Sequence, residues 1–363
     1  MSSPRHAVSA RLPGAAAAVA LSIACLSGGA APALGAAPAA SPPAATAPPV
    51  PAPAPAVVPG RISLQLQKVG GSPPFALVGG RIVVRAIVTP YVGGQTVRVS
   101  FYREGRKVEV KTVSVLAIGN GAGQFHINFA SHYAGLVEAR AAHYATAQQG
   151  AFAARSPGVH FVNPGVGPGS SGQSVRLLQS ELGVLHYAVP LSGLFDEATG
   201  HALIAYRKMT GLERVPLAGR RVFELLERGA GSFHVHYPRD GRHVEADLTK
   251  QVLAEIEPGG HVHAIYTMSS GKPSTPTVIG HFNVYSKTPG VNSEGMVDSN
   301  YFIRGYAIHG YPEVPAYAAS HGCLRVPIPD APAIYGWVQM GTAVDVYNES
   351  GGGSHRVSGN AGP

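Results

Sequence analysis

Ile308-His309-Gly310-Tyr311-Pro312-Glu313-Val314-Pro315, then Ser320-His321-Gly322-Cys323-Leu324-Arg325, is the stretch on which the reading of this 363-residue chain turns. Pro312 and Pro315 rule out a continuous helix between His309 and Cys323. The fourteen positions that separate the two residues suit the ends of adjacent strands joined by a loop. Gly322 lets the backbone turn tightly ahead of Cys323, so that main-chain amides can point at a reacting oxygen. A lone cysteine is usually a small buried apolar group. An imidazole nearby is the usual means of making a thiolate at neutral pH, and here both His309 and His321 are close in sequence.

The N-terminus sharpens the question. Arg5 and Arg11 precede an Ala-rich apolar run from Leu12 to Leu26, and Gly28-Gly29-Ala30-Ala31-Pro32 follows. That order is the one of a secretory signal, with cleavage expected between Ala30 and Ala37. No later segment reaches the ~18 unbroken apolar residues of a membrane span. Ser22-Ile23-Ala24 is a poor lipid-attachment context for Cys25, so a membrane tether is expected only if the signal stays uncut or Cys25 is lipidated. Of the two cysteines, Cys25 leaves with the signal. Cys323 then stands alone in a compartment where thiols normally pair, and such a thiol needs a reason.

Composition narrows the partners. The net charge of +8 suits an anionic surface. No run of Lys and Arg interleaved with aromatics is present, so nucleic acid is not an expected partner.

Working outward, we divide the chain into a signal (1–36), an Ala/Pro linker (37–58), a β-sandwich (59–163), a helical module (164–230), a second β region (231–348) and a disordered tail (349–363). The linker buries nothing and reads as a polyproline spacer. Period-two runs such as Arg81–Val88, and Thr96–Tyr102 with Lys107–Lys111 around the turn Arg103-Glu104-Gly105-Arg106, predict an antiparallel sandwich of immunoglobulin-like type. Val175, Leu178 and Leu182, then Ala202, Leu203 and Tyr206, fall at helical spacing around the turn Ser192–Asp196. Further on, Ala246–Ile256 and His261–Met268 read as two strands of a hairpin joined at Pro258-Gly259-Gly260.

Two of these segments resemble known families. Gly172-Gln173-Ser174-Val175, Leu178-Gln179, Leu182-Gly183, Gly193-Leu194-Phe195-Asp196, Ala198-Thr199 and Thr210-Gly211-Leu212 resemble the peptidoglycan-binding domain of wall enzymes, without its usual Phe-Gln near Tyr206-Arg207. Ile308-His309-Gly310 and Ser320–Arg325 resemble the signature of L,D-transpeptidases. So do Asp247–Gln251, Ser269-Ser270-Gly271 and Thr275–Phe282. Gly310 stands where that family often has Ser, and Arg325 where it varies between Asn and Arg. The fold class that follows is multidomain and mainly β: an L,D-transpeptidase-like β-sandwich, a small helical module and an N-terminal immunoglobulin-like sandwich.

The resemblance implies an exported enzyme of the bacterial wall, periplasm or cell surface that cross-links peptidoglycan stem peptides. Cys323 would attack the carbonyl between the third and fourth stem residues. His309 would be general base and acid, with the Gly310 carbonyl orienting its ring. Amides around His321, Gly322 and Cys323 would form the oxyanion hole, and Ser320 and Arg325 would contact substrate. A tetrapeptide donor and a diamino-acid acceptor are the implied partners. Water in place of the acceptor would make the chain an L,D-carboxypeptidase, and a decayed site would leave a wall-binding protein. His234-Val235-His236 and His261-Val262-His263 are half-sites for zinc, but no carboxylate-His motif completes either pair, so neither cofactor nor metal is expected.

Overall fold

A computed structural model describes residues 57–349 and 351–352. The expected signal, nearly all of the linker and the tail beyond Gly352 lie outside the described residues.

Ten strands make up the first region: β1 Arg61–Gln67, β2 Phe75–Leu77, β3 Arg81–Thr89, β4 Thr96–Arg103, β5 Arg106–Ser114, β6 Leu116–Gly119, β7 Ala122–Ala130, β8 Gly135–His143, β9 Phe152–Arg155 and β10 Val159–Val162. They form two sheets, β1-β3-β7-β6 and β2-β10-β8-β4-β5, with β9 added to β8. Strict alternation drives the packing: Val97, Val99 and Phe101 of β4 face Ile82 and Val84 of β3 and Phe125, Ile127 and Phe129 of β7 across one core. Phe101 and Phe129 stack at 4.3 Å. Glu104 and Gly105 both take positive φ, the turn that joins β4 to β5 with the twist of a two-residue hairpin. The sandwich is not wholly antiparallel, because β2 and β10 pair in parallel.

Three helices follow, α1 Gln173–Val184, α2 Glu197–Met209 and α3 Arg220–Glu227. Val175, Leu178, Leu182, Leu203 and Tyr206 are fully buried. Between α1 and α2 the Gln179 amide donates to Ser192 Oγ, the Leu194 carbonyl and Thr199 Oγ1, while its oxygen accepts from Gly193 N–H. Asp196 caps α2 by accepting from the amide of Thr199 at 2.8 Å.

The last region holds β11 His243–Asp247, β12 Val252–Glu257, β13 His261–Thr267, β14 Gly280–Asn283, β15 Ser286–Val291, β16 Val297–Ile303, β17 Tyr306–Tyr311, β18 Leu324–Pro327, the short helix α4 Ala331–Trp337 and β19 Ala343–Asn348. One sheet runs β13-β12-β11-β19-β14 and the other β15-β16-β17-β18. Val244, Ala246, Leu253, Phe282, Val344 and Val346 of the first sheet meet Phe302, Ile308, Leu324 and Val326 of the second, with Ile334 and Trp337 of α4 closing the core. The opposite face of β12 and β13 carries Val252, Ala254, Ile256 and Ile265, and these pack on the helices. Packing on both faces buries every residue of β12 from Val252 to Ile256, Glu255 included.

Two expectations are corrected here. Ala246–Ile256 is a hairpin, not one strand: Asp247 accepts from the amides of Thr249 and Lys250, and Gln251 sits at φ 61°. Within the segment expected to be a disordered tail, Gly351–Gly352 instead forms β20, antiparallel to β19.

Candidate active site

Strands β17 and β18 pair in parallel, with Ile308 beside Leu324 and His309 beside Arg325. The loop between them therefore crosses over and brings Cys323 to the mouth of β18, next to Ala307. Gly322 makes this possible. Its φ is 125°, and a Cβ there would lie 1.7 Å from the Tyr306 ring, so any side chain would evict the tyrosine.

His309 is 3% exposed. Its Nδ1 lies 2.9 Å from the Gly310 carbonyl, an acceptor, so Nδ1 carries the proton and Nε2 is the basic nitrogen. Burial pushes the imidazole down to about 4, opposed by the Gly310 bond and assisted by the Arg325 charge. Gly310 has no room for the Ser common in the resembled signature: a Cβ there would meet Ala331 Cβ at 2.7 Å and Val297 Cβ at 3.1 Å.

Burial also raises the Cys323 thiol, against the lowering effects of the Ala307 amide and Arg325. The thiol donates to the Gly305 carbonyl at 3.7 Å rather than to His309. Both groups are thus neutral at rest.

The remaining loop residues take roles that the sequence did not place. Ser320 is fully buried; its hydroxyl donates to the Cys323 carbonyl at 2.6 Å and accepts from the Gly322 amide at 3.0 Å. Ser320 thus braces the loop from beneath, and the Gly322 amide is engaged by its hydroxyl. His321 is exposed, and its Nε2 accepts from the Lys272 ammonium at 3.1 Å, which ties up the nitrogen a second base would need. Arg325 lies with its guanidinium 4.0 Å from the Tyr311 ring centre. Among the described residues, no carboxylate lies within ion-pair distance of it.

A segment far back in sequence clamps this loop. Thr277 Oγ1 accepts from the Gly271 amide and donates to the Gly322 carbonyl, both at 2.8 Å. Thr275 Oγ1 donates to the Ser320 carbonyl, and Ser269 bonds Arg325 through both backbone groups. Ser269–Gly271 and Thr275–Phe282 stand out in the sequence only by resemblance; their clamping role, like that of Tyr306 and Tyr311, has no local signal. Beside Tyr311 opens a cavity of about 400 Å³, lined on one side by Pro312, Val314 and Ile328 and on the other by Glu197 and His201 of α2.

The histidine pairs considered for zinc lie elsewhere. His234 and His236 have ring centres 5.2 Å apart, and His263 stacks on Trp337. Among the described residues, no third ligand joins either pair.

The YkuD family, an L,D-transpeptidase catalytic domain, matches residues 241–346. An L,D-transpeptidase from Xylanimonas cellulosilytica is 32% identical over 51% of this chain and 98% of its own, with a TM-score of 0.47. One from Stackebrandtia nassauensis is 21% identical over 50% and 93% of the two chains, with a TM-score of 0.33. That from Enterococcus faecium is 29% identical over 30% and 50%, with a TM-score of 0.25. No curated protein matches the chain. With the His309 and Cys323 strands inside the matched segment, the chain belongs to the L,D-transpeptidase family, through a YkuD catalytic domain at residues 241–346.

Proposed function

We propose that this protein forms 3→3 cross-links in peptidoglycan through a thioester on Cys323. The observation that carries the reading is the His309 ring, buried, neutral and fixed by Gly310 with Nε2 as its base, on the strand beside the one that Cys323 opens. The thiol leaves the Gly305 carbonyl and gives its proton to Nε2 as sulfur bonds to the carbonyl carbon between the diamino acid and D-Ala. The amides of His321 and Cys323 take the oxyanion. Collapse breaks the C–N bond, and His309 returns the proton to the departing D-Ala amine. The side-chain amine of a second stem then attacks the thioester. Its proton passes to His309 and on to the leaving sulfur. Arg325, with no carboxylate partner among the described residues, is suited to hold a donor carboxylate.

The rest of the chain fits delivery to a wall. We read residues 1–36 as an export signal and 37–58 as a spacer, which would place the enzyme outside the cell membrane. The sandwich at 59–163 we take as an immunoglobulin-like spacer, and 164–230 as a peptidoglycan-binding module. The cavity shared by α2 and the Tyr311 loop supports that last assignment, since a strand held by the module would run past the catalytic loop.

The test is muropeptide analysis after incubating the purified protein with disaccharide-tetrapeptide. Cross-linked dimers with free D-Ala support the proposal, and Cys323→Ala abolishes both. Tripeptide alone makes the enzyme a carboxypeptidase. No product, together with no carbapenem adduct on Cys323 by mass spectrometry, leaves a wall-binding protein.

A further inference from the structure

The first sheet of the catalytic domain carries a second polar cluster on the face turned away from the Cys323 core. Val344 and Val346 point into that core, so Asp345 between them points out, as does His281 beside Phe282. His281 and Asp345 stand opposite each other in the β14–β19 register, with Nδ1 and Oδ1 2.6 Å apart. Asp240, on the segment entering β11, completes a group in which one ligand atom from each residue lies within 4.8 Å of the others.

Asp345 is 0% exposed, and its second carboxyl oxygen has no hydrogen-bond partner. A buried carboxylate with one oxygen met by an imidazole and the other unpartnered is under-satisfied. Its neighbour across β11–β19 brings no relief. Glu245 is itself fully buried and is engaged by the His236 and Tyr237 amides, the Tyr347 hydroxyl and His243. Among the described residues, the ion pairs of Asp345 and Glu245 are with histidines, not with Lys or Arg. Burial holds the Asp345 carboxyl above its ordinary range, and Asp240 adds to this while His281 opposes it.

We propose that Asp240, His281 and Asp345 bind a divalent first-row transition-metal cation, tying the edge strand β14 and β19 to the segment that enters β11. One imidazole with two carboxylates is the protein donor set of a three-ligand zinc site; the imidazole sets it apart from magnesium or calcium sites. The site is structural. β14 follows directly on the Thr275–Thr277 segment that clamps the catalytic loop.

The experiment uses the full chain stripped with a chelator and titrated with Zn²⁺, with Co²⁺ as a spectroscopic probe. One equivalent should bind, with Co²⁺ giving the visible absorption of a low-coordinate site, and Zn²⁺ should raise the thermal midpoint by several degrees. Asp240→Asn and His281→Gln should each abolish the shift while still forming the carbapenem adduct, which separates loss of metal from loss of fold. His234→Ala should bind as the parent does. The proposal is overturned if the parent shows neither the shift nor the Co²⁺ absorption. It is equally overturned if Asp240→Asn binds as tightly as the parent while His234→Ala does not, which moves the metal to the exposed His234–His236 pair.

Discussion

His309 is buried enough to be pushed to about 4, well below the ordinary imidazole range near 6.5. A base must be unprotonated to act, so the depressed value keeps it competent through mildly acidic conditions. The acid limb of kcat/KM, or of the second-order rate of carbapenem acylation, should therefore fall with a midpoint nearer 4 than 6.5. A limb centred between 6 and 7 would show that the ring titrates as though solvated. Next along the strand, Gly310 explains a local departure from the family's pattern. Ala331 at the start of α4 fills the space that a larger residue would need. Gly310→Ser should destabilise the protein by roughly 1–3 kcal/mol through overpacking. Ala331→Gly in the same chain should recover part of the loss, with a coupling on the order of 1 kcal/mol in a double-mutant cycle by urea denaturation. Strict additivity would mean that the two residues do not compete for space.

At the scale of elements, the β11–β12 turn contains no Gly or Pro; Asp247 and Gln251 build it from side chains. Asp247→Ala removes the acceptor of two amides and should cost about 1–2 kcal/mol, by analogy with the loss of a helix cap. A midpoint in denaturant equal to that of the parent would show that water replaces the carboxylate without penalty. The same turn marks the limit of what the chain's sequence discloses. Local alternation exposed β3, β4 and β5, and helical spacing exposed α1 and α2, because each is written within one element. A turn made by Asp247 carries no punctuation, so 246–256 reads as a single strand. The catalytic loop divides in the same way. Gly322, Cys323 and His309 are legible because chemistry demands those residue types close together. The Thr277 clamp joins residues 45 positions apart, and the commitment of the Gly322 amide to Ser320 appears only once the loop has closed.

For the whole molecule, the helices and the catalytic sheet share one core. Val252, Ala254, Ile256 and Ile265 lie in the same buried cluster as Val175, Leu178, Leu203 and Phe223, and Phe75, Leu77 and Val162 join it from the sandwich. Lys208 of α2 crosses the junction and donates to the Gln251 and Met268 carbonyls and to Thr267 Oγ1. Burial pushes this ammonium down to about 7, yet its three acceptors match its three donors. A catalytic fragment cut at residue 231 would expose Val252, Ile256 and Ile265 and leave those carbonyls bare. At about 1.5–3 kcal/mol for each large aliphatic side chain, the loss is roughly 5–9 kcal/mol, comparable with the whole stability of a typical domain. Residues 231–348 alone should therefore be aggregated or molten, with weak near-ultraviolet circular dichroism and no cooperative thermal transition, while a fragment that begins near residue 57 folds. A soluble, cooperatively melting 231–348 fragment that acylates with carbapenem at the parent's rate would show that the helices are an appendage rather than half of the catalytic sheet's packing.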